Sequence, residues 1–276
     1  MAVVALADGS LHAAAYDCLM ADTVDAKLSA TRRVAAAWRE GRLSLEASSA
    51  PAVVRITLPG RPASPRLVPA RDLPHRGLGS VLGRSALLHA VAHIEFNAID
   101  LAWDAVFRFR DMPRAFYDDW IAVAEDEARH FGLLSRRLAD YRCAYGDFGA
   151  HNGLWEMAIR TDGSCLERMA LVPRVLEARG LDVTPGMIER LRAVGDADSV
   201  DVLATILREE VAHVAAGSRW FAWCCAQADV DPEITFDALL VTHAGNAVKG
   251  PINREARRAA GFSDGELGRL ERMAAA

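Results

Sequence analysis

Apolar residues recur every three or four positions along most of this chain, which predicts a protein built from α-helices. Residues 1–45 form one or two amphipathic patterns, with Asp22 or Thr23 as a cap of the second and Gly41 as a stop. Longer patterns cover residues 80–110, 114–145, 164–179 and 199–228, and shorter ones cover 184–194 and the chain after Ser263. Gly146 and Gly180 are the predicted helix ends, and Thr184 is the predicted start of the next helix after Gly180. We therefore expect an all-α fold.

Residues 46–79 differ from the rest because their prolines prevent a long helix. Residues 53–58, VVRITL, could form a short strand. We interpret this stretch as an extended arm packed on the helices, and a flexible linker is the alternative. The predicted organisation is an N-terminal helical segment and arm over residues 1–79, followed by a helical bundle with short C-terminal helices over residues 80–276. The prolines are Pro51, Pro59, Pro62, Pro65, Pro69 and Pro74.

Ionisable residues interrupt the apolar stripe of all four long helices. Two of these interruptions are Glu-x-x-His pairs, which place a carboxylate and an imidazole on one helix face. Each of the other two is a single glutamate. Carboxylates buried on four helices would be very costly without a metal or another cation, although a buried salt-bridge network is the alternative. The candidate metal ligands are Glu95, Glu127, His130, Glu177, Glu210 and His213.

The candidate ligands repeat along the chain. Glu95 precedes Glu127 by 32 residues, and Glu177 precedes Glu210 by 33. Such a spacing suffices for a helix, a turn and a return, so each half can form an antiparallel hairpin. A longer link over residues 146–162 then acts as the crossover. Two hairpins joined in this way form a ferritin-like four-helix bundle, whose inward-facing ligands hold two iron or manganese ions.

Several nearby residues have competing interpretations. Glu177 follows Pro173, which predicts a kink, and Glu167 competes with it as a ligand. His89 and His93 lie on a different helix face from Glu95, so we expect hydrogen bonds to the arm or to a subunit partner. For Asn253, Arg254 and Arg257 the default is a solvated surface, and closure over a pocket is the alternative. Arg129 is expected to pair with a nearby acid.

Composition narrows the class of protein. A net charge of −5 gives no basic footprint, so nucleic acid is not an expected partner. Five cysteines without regular spacing do not indicate a disulfide framework, and Cys224 and Cys225 are expected to pack in the core. No apolar run is long enough to span a bilayer. Residues 1–22 have no basic residue ahead of their apolar part, so a cytoplasmic location is expected.

The spacing and residue types resemble a known motif. Glu95, a gap of about thirty residues, and then DEARH at 126–130 is similar to the Glu-x(~30)-Asp-Glu-x-Arg-His motif of bacterial di-iron oxygenases and related ferritin-like proteins. The second copy, Glu177 followed by EEVAH at 209–213, departs in having Glu209 for Asp and Ala212 for Arg.

Over nearly its whole length, the chain resembles domain-of-unknown-function family 455, a bacterial ferritin-like family. The matching stretches are AHIEFNAI at 92–99, DEARHFG at 126–132, VLEARGLD at 175–182 and NREAR at 253–257.

The resemblance implies a role for each ligand. Glu127 and Glu210 would bridge two metal ions. Glu95 with His130 would complete one ion, and Glu177 with His213 the other. Asp126 and Glu209 each precede a bridging glutamate and could accept a hydrogen bond from the histidine of the opposite hairpin.

The leading functional hypothesis is an O2-dependent di-iron oxidoreductase, a hydroxylase or oxidase, that acts on a small organic substrate. Manganese or a mixed Mn/Fe pair is the alternative to iron. Alternative functions are non-catalytic metal binding, ferroxidase activity and manganese catalase-like activity, or a metal that only staples the bundle. A homodimer is a further expectation. The substrate does not follow from the fold, because one bundle hosts many reactions.

Overall fold

The computed structural model describes residues 9–46, 51–244 and 248–275, and across these ranges the regular structure is helical. Strand-like pairing in the described residues is limited to two isolated bridges, Ser10 with Ser44 and Leu67 with Ala150. The prediction of an all-α fold is therefore confirmed. No described helix combines the length and apolar character that a membrane crossing requires.

The chain divides into two compact units. The first unit runs to Arg76 and resumes over Ser85–Trp155, and the second comprises Gly77–Arg84 and the chain from Glu156 onward. The boundary predicted after residue 79 is not tested by this division and stays a prediction.

The first unit contains four helices that the apolar periodicity predicts. Thr23 caps the second of them by accepting a hydrogen bond from the Ala26 amide, as expected. The fourth ends before the expected stop at Gly146, because Arg142 adopts a left-handed backbone with a φ of 58°. The helices are α1 (Leu11–Met20), α2 (Val24–Arg39), α3 (Val81–Arg108, whose first turn belongs to the second unit) and α4 (Arg114–Asp140).

The strand predicted over residues 53–58 is wrong. Two of its carbonyl groups accept hydrogen bonds from side chains instead of from a neighbouring strand. Arg108 Nη1 donates to the Val54 carbonyl at 3.2 Å, and Trp155 Nε1 donates to the Ile56 carbonyl at 3.2 Å. The arm is thus held in an irregular extended form by long side chains, since alternating residue types alone do not supply a partner strand.

A buried ion pair ties α2 to α3. Lys27 and Asp100 are both inaccessible to solvent, and the Lys27 ammonium donates to the Asp100 carboxylate. The same ammonium donates to the carbonyl groups of Cys18 and Leu19 at the end of α1. Burial raises the pKa of Asp100 to about 6, against the opposing effect of Lys27. One cation therefore fixes three helices.

The described part of the second unit comprises the first turn of α3, α5 (Gly153–Arg160) from Glu156 onward, and six further α-helices. These are α6 (Cys165–Leu171), α7 (Ala178–Ala193), α8 (Ala197–Ala228), α9 (Pro232–Leu239), α10 (Arg254–Ala259) and α11 (Asp264–Ala275). Asp196 caps α8 by accepting a hydrogen bond from the Ser199 amide. α8 packs against α6 and α7.

The predicted helix end at Gly180 and the predicted start at Thr184 are both wrong, because α7 runs through them to Ala193. Pro185 lies inside this helix and lacks the N–H that would bond the Leu181 carbonyl. The Asn253 side-chain amide donates to that carbonyl instead, at 3.1 Å. A residue 72 positions away thus satisfies the group that the proline leaves open.

Pro173 produces the predicted interruption, in the form of a π-helical segment over Val172–Glu177. This segment, called the π segment below, packs tightly on α8 at Gly217. A Cβ atom built on Gly217 would lie 2.4 Å from Pro173 Cβ, far inside van der Waals contact. Glycine at this position therefore permits the close approach of the two backbones.

Gly217→Ala should destabilise the protein by about 2 kcal/mol or more, because the new methyl group collides with the Pro173 ring. Urea unfolding followed by circular dichroism measures the change. Gly186→Ala is the matched control, since Gly186 lies in α7 with no atom near its absent Cβ. It should stabilise by about 0.5–1 kcal/mol through helix propensity. Equal effects of the two substitutions would contradict the packing argument.

Lys27→Met should cost about 3–5 kcal/mol at pH 7.5, because it leaves the Asp100 carboxylate buried without its cation. The cost should be smaller at pH 5, where Asp100 can take up a proton. The double variant Lys27→Met, Asp100→Leu should recover much of the lost stability. Denaturant unfolding of the wild type, the single variant and the double variant at both pH values measures these differences in the free energy of unfolding. A cost below about 1 kcal/mol for the single variant at pH 7.5 would show that the pair does not matter.

Candidate metal centre

The first unit brings three of the predicted ligands together. Glu95 extends from α3, and Glu127 and His130 extend from α4. His130 Nδ1 lies 3.1 Å from Glu95 Oε2 and 3.7 Å from Glu127 Oε2. All three side chains are buried, and His130 is inaccessible to solvent. We call Glu95, Glu127 and His130 the first half-site.

Aromatic residues follow two of the ligands in sequence and pack against one another. Phe96 follows Glu95 in α3, and Phe131 follows His130 in α4. Their ring centroids lie 5.3 Å apart, and both rings also contact Tyr145. Carboxylates in such surroundings lose their hydration, so their charge must be compensated by nearby groups.

The second unit brings two more predicted ligands together on α8. His213 Nδ1 lies 3.2 Å from Glu210 Oε1, and both side chains are buried. Glu177 is buried as well and is the last residue of the π segment. Its competitor Glu167 is partly exposed in the first turn of α6, so burial favours Glu177. We call Glu177, Glu210 and His213 the second half-site.

A buried arginine holds the π segment in place. Arg174 donates to both carboxylate oxygens of Glu266 at 2.7 Å, and to the Ser218 hydroxyl at 3.2 Å. Its guanidinium carbon also lies 4.2–4.8 Å from three ring centroids. The rings belong to Phe221, Phe236 and Phe262. These contacts of Arg174 hold the backbone of the π segment, at whose end Glu177 lies. π-helical insertions of this kind are frequent at functional sites.

The C-terminal helices also lock α7, which corrects the expectation of a solvated surface for Arg257. This guanidinium is buried and donates to Asp182 at 2.7 and 2.9 Å. It also donates to the Arg174 carbonyl in the π segment at 3.2 Å. Asn253 caps α10, whereas Arg254 stays half-exposed and pairs with Glu271. Arg257 thus supports the backbone that carries Glu177.

The sequence analysis missed Arg174, Asp182 and Glu266 as supports of the second half-site. One signal was available, since Arg174 lies within the otherwise apolar stretch LVPRVL at 171–176. An arginine in such a position indicates a buried guanidinium in need of a carboxylate. The identity of its partner is not a local property, because Glu266 lies 92 residues away.

The two residues expected to support the ligand histidines are half-exposed within their own units. Asp126 accepts a hydrogen bond from Arg129 at 2.6 Å, which confirms that Arg129 pairs with a nearby acid. Glu209 lies 3.7 Å from Arg208. Hydrogen bonds donated by the histidines to Asp126 and Glu209 stay a prediction.

His89 and His93 bond to residues 145–151, not to the arm as expected. His93 Nε2 lies 3.0 Å from the His151 carbonyl, and its Nδ1 lies 2.9 Å from the Tyr145 hydroxyl. His89 Nε2 accepts a hydrogen bond from the Gly146 amide at 2.9 Å. Burial lowers the pKa of both histidines to about 4, so both are neutral at pH 7.

The donor set fits a metal of the iron or manganese type. Each half-site offers two buried carboxylates and one imidazole, and neither contains a thiolate. Oxygen and imidazole ligands suit these ions, and carboxylates neutralise their charge. The excess of buried acid over base is the physical reason to expect a cation.

The comparisons with known proteins place the chain in a family. Residues 20–268 match the family model described as "Protein of unknown function (DUF455)", which covers most of the chain. The chain therefore belongs to this family. It is also 44% identical over 213 residues to an uncharacterized protein of Haemophilus influenzae, covering 75% of this chain and 74% of that relative. No solved structure matches.

In metal-free protein, Glu127→Gln should raise the free energy of unfolding by about 1 kcal/mol, because it removes one of two buried carboxylates facing a single imidazole. Urea unfolding in the presence of a chelator measures it. Glu125→Gln is the matched control. It removes an exposed carboxylate paired with Arg39, and should change stability by less than about 0.5 kcal/mol. Destabilisation by Glu127→Gln would show that this carboxylate stabilises the metal-free fold.

Proposed function

We propose that the two half-sites together hold a pair of iron ions, and that the protein is an O2-dependent oxidoreductase acting on a small organic substrate. The observation that carries the proposal is the burial of two carboxylates around one imidazole in the first half-site, in a sequence that repeats the same ligand types in the second. Each half-site contains one buried Glu-x-x-His pair, Glu127 with His130 in the first and Glu210 with His213 in the second.

Each ligand has an assigned role in this proposal. Glu127 and Glu210 would be shared by the two ions, Glu95 with His130 would hold one of them, and Glu177 with His213 would hold the other. This assignment rests on the resemblance to the di-iron motif. Manganese, or a mixed pair, fits the same donors. When bound, the metal pair supplies the redox equivalents that activation of O2 requires.

The chain's own residues have three tasks. The four glutamates offset the charge of the ions, and the two imidazoles fix the geometry as neutral donors. The burial of Glu95, Glu127 and His130 keeps water from the first half-site, which protects reactive species from side reactions. The buried Arg174–Glu266 pair keeps the backbone before Glu177 rigid.

Glu127→Ala and Glu210→Ala should each remove most of the bound metal, because each removes a proposed bridging carboxylate. Elemental analysis of protein purified without chelator measures metal per chain. Glu125→Ala and Glu189→Ala are matched controls, since both remove surface carboxylates paired with arginines. Their metal content should equal that of the wild type. Unchanged occupancy in Glu127→Ala or Glu210→Ala would overturn the ligand assignment, and less than about one metal per wild-type chain would overturn the proposal.

Measuring whether the protein consumes or releases O2 separates the proposed activity from its alternatives. Protein loaded with Fe(II) should consume O2 whether it is a hydroxylase, an oxidase or a ferroxidase. For repeated turnover a hydroxylase requires an external reductant together with its organic substrate, an oxidase requires an oxidisable organic substrate, and a ferroxidase requires only further Fe(II). A manganese catalase-like protein would instead release O2 from peroxide. The proposal includes a cytoplasmic location and a homodimer, and light scattering of the purified protein tests the dimer.

A further inference from the structure

The first unit contains a surface cleft whose lining includes none of the residues of the first half-site. It has a cavity volume of about 520 Å³, in the range typical of small-molecule sites. The Pro-rich arm forms one wall, and the turn at residues 146–149 forms another. We call it the arm cleft. The lining residues that matter below are Arg66, Val68, Leu73, Arg76 and Phe148.

Backbone hydrogen bonds hold the two walls of the arm cleft together. The Val68 amide donates to the Ala150 carbonyl at 2.8 Å, and the Ala150 amide donates to the Arg66 carbonyl at 3.1 Å. The Gly146 amide donates to His89, whose ring also packs against Phe148 at 5.3 Å. The cleft is therefore formed by fixed backbone on both sides, which reduces the entropic cost of binding.

The charges in the arm cleft favour an anion. Within the described residues, the guanidinium groups of Arg66 and Arg76 form no ion pair and no hydrogen bond, and Arg76 only lies over the Phe148 ring at 5.5 Å. The lining also contains two acids, and neither pairs with Arg66 or Arg76. Asp147 accepts from the Ala144 amide at 2.7 Å, and Asp72 lies 3.8 Å from Arg71. The N–H donors of Arg66 and Arg76 are therefore open to the head group of an anionic ligand.

An apolar surface adjoins the two cations. The side chains of Leu73 and Val68 approach Gly149, where a Cβ atom would lie 3.4 and 3.7 Å from their methyl carbons. Phe148 adds a ring that is only partly exposed. A ligand that uses both features carries an anionic head and a flat or aliphatic body.

We propose that the arm cleft binds a small organic anion, with its carboxylate or phosphate group on Arg66 and Arg76 and its apolar body on Phe148, Leu73 and Val68. This binding does not depend on the proposed metal centre. Arginine recognises both head groups through paired N–H donors, so the chemistry is shared between them.

Titration calorimetry on the full-length protein tests the proposal with benzoate and phenylphosphonate as probes, and with phenol and inorganic phosphate as controls. At least one aromatic anion should bind saturably, and phenol should not bind. Whichever of benzoate and phenylphosphonate binds more tightly identifies the head group. Inorganic phosphate should bind at least about tenfold more weakly, because it lacks the apolar body. Binding of phosphate as tight as that of the aromatic anions, or no binding of either aromatic anion, would overturn the proposal.

The double variant Arg66→Gln, Arg76→Gln should weaken binding of the aromatic anion by about tenfold or more. Arg160→Gln, Arg190→Gln is the charge-matched control, since both arginines are exposed in the second unit, and it should bind like the wild type. Unchanged affinity in the first variant would overturn the assignment. A measurement on the wild type alone is independent of variant folding, because raised salt should weaken binding of the anion. Salt-independent binding would contradict an arginine-held head group.

Discussion

A charged side chain removed from water must be paired with an opposite charge inside the protein, and several helices of this chain carry charged side chains on their buried faces. Lys27 meets Asp100 in the first unit, and Arg174 meets Glu266 in the second. Breaking such a pair exposes the remaining partner to the full cost of burial. Each half-site contains two buried carboxylates but only one imidazole, which is why we expect a cation there.

The second half-site depends on residues far from it in sequence. Glu177 ends a π segment whose Arg174 is enclosed by α8, α9 and α11. The carbonyl of Arg174 accepts from Arg257 of α10, and Gly217 of α8 lets Pro173 approach closely. The C-terminal helices are therefore part of the support of the candidate site. A proline that would weaken an isolated helix is accommodated because neighbouring elements fill the missing contacts.

The arm and residues 145–151 act together in the first unit. Over residues 51–79 the arm forms one isolated bridge, Leu67 with Ala150, and no longer strand. The carbonyl groups of Val54 and Ile56 accept instead from the side chains of Arg108 and Trp155. His89 and His93, which lie outside the Glu-x-x-His pattern, fix residues 145–151 by hydrogen bonds. The segment that they hold includes the turn at residues 146–149, which forms one wall of the arm cleft.

The sequence by itself determined the helical class, the course of α3, α4 and α8, and the Glu-x-x-His pairs, because periodicity and i,i+3 spacing are local properties of a helix. It also located the interruption at Pro173. The tertiary structure alone decided that α7 continues through Pro185, since Asn253 satisfies the Leu181 carbonyl from 72 residues away. It likewise decided that Arg257 is buried against Asp182, 75 residues distant. Such pairings depend on which segments meet in the folded chain, and no local pattern of residue types specifies that.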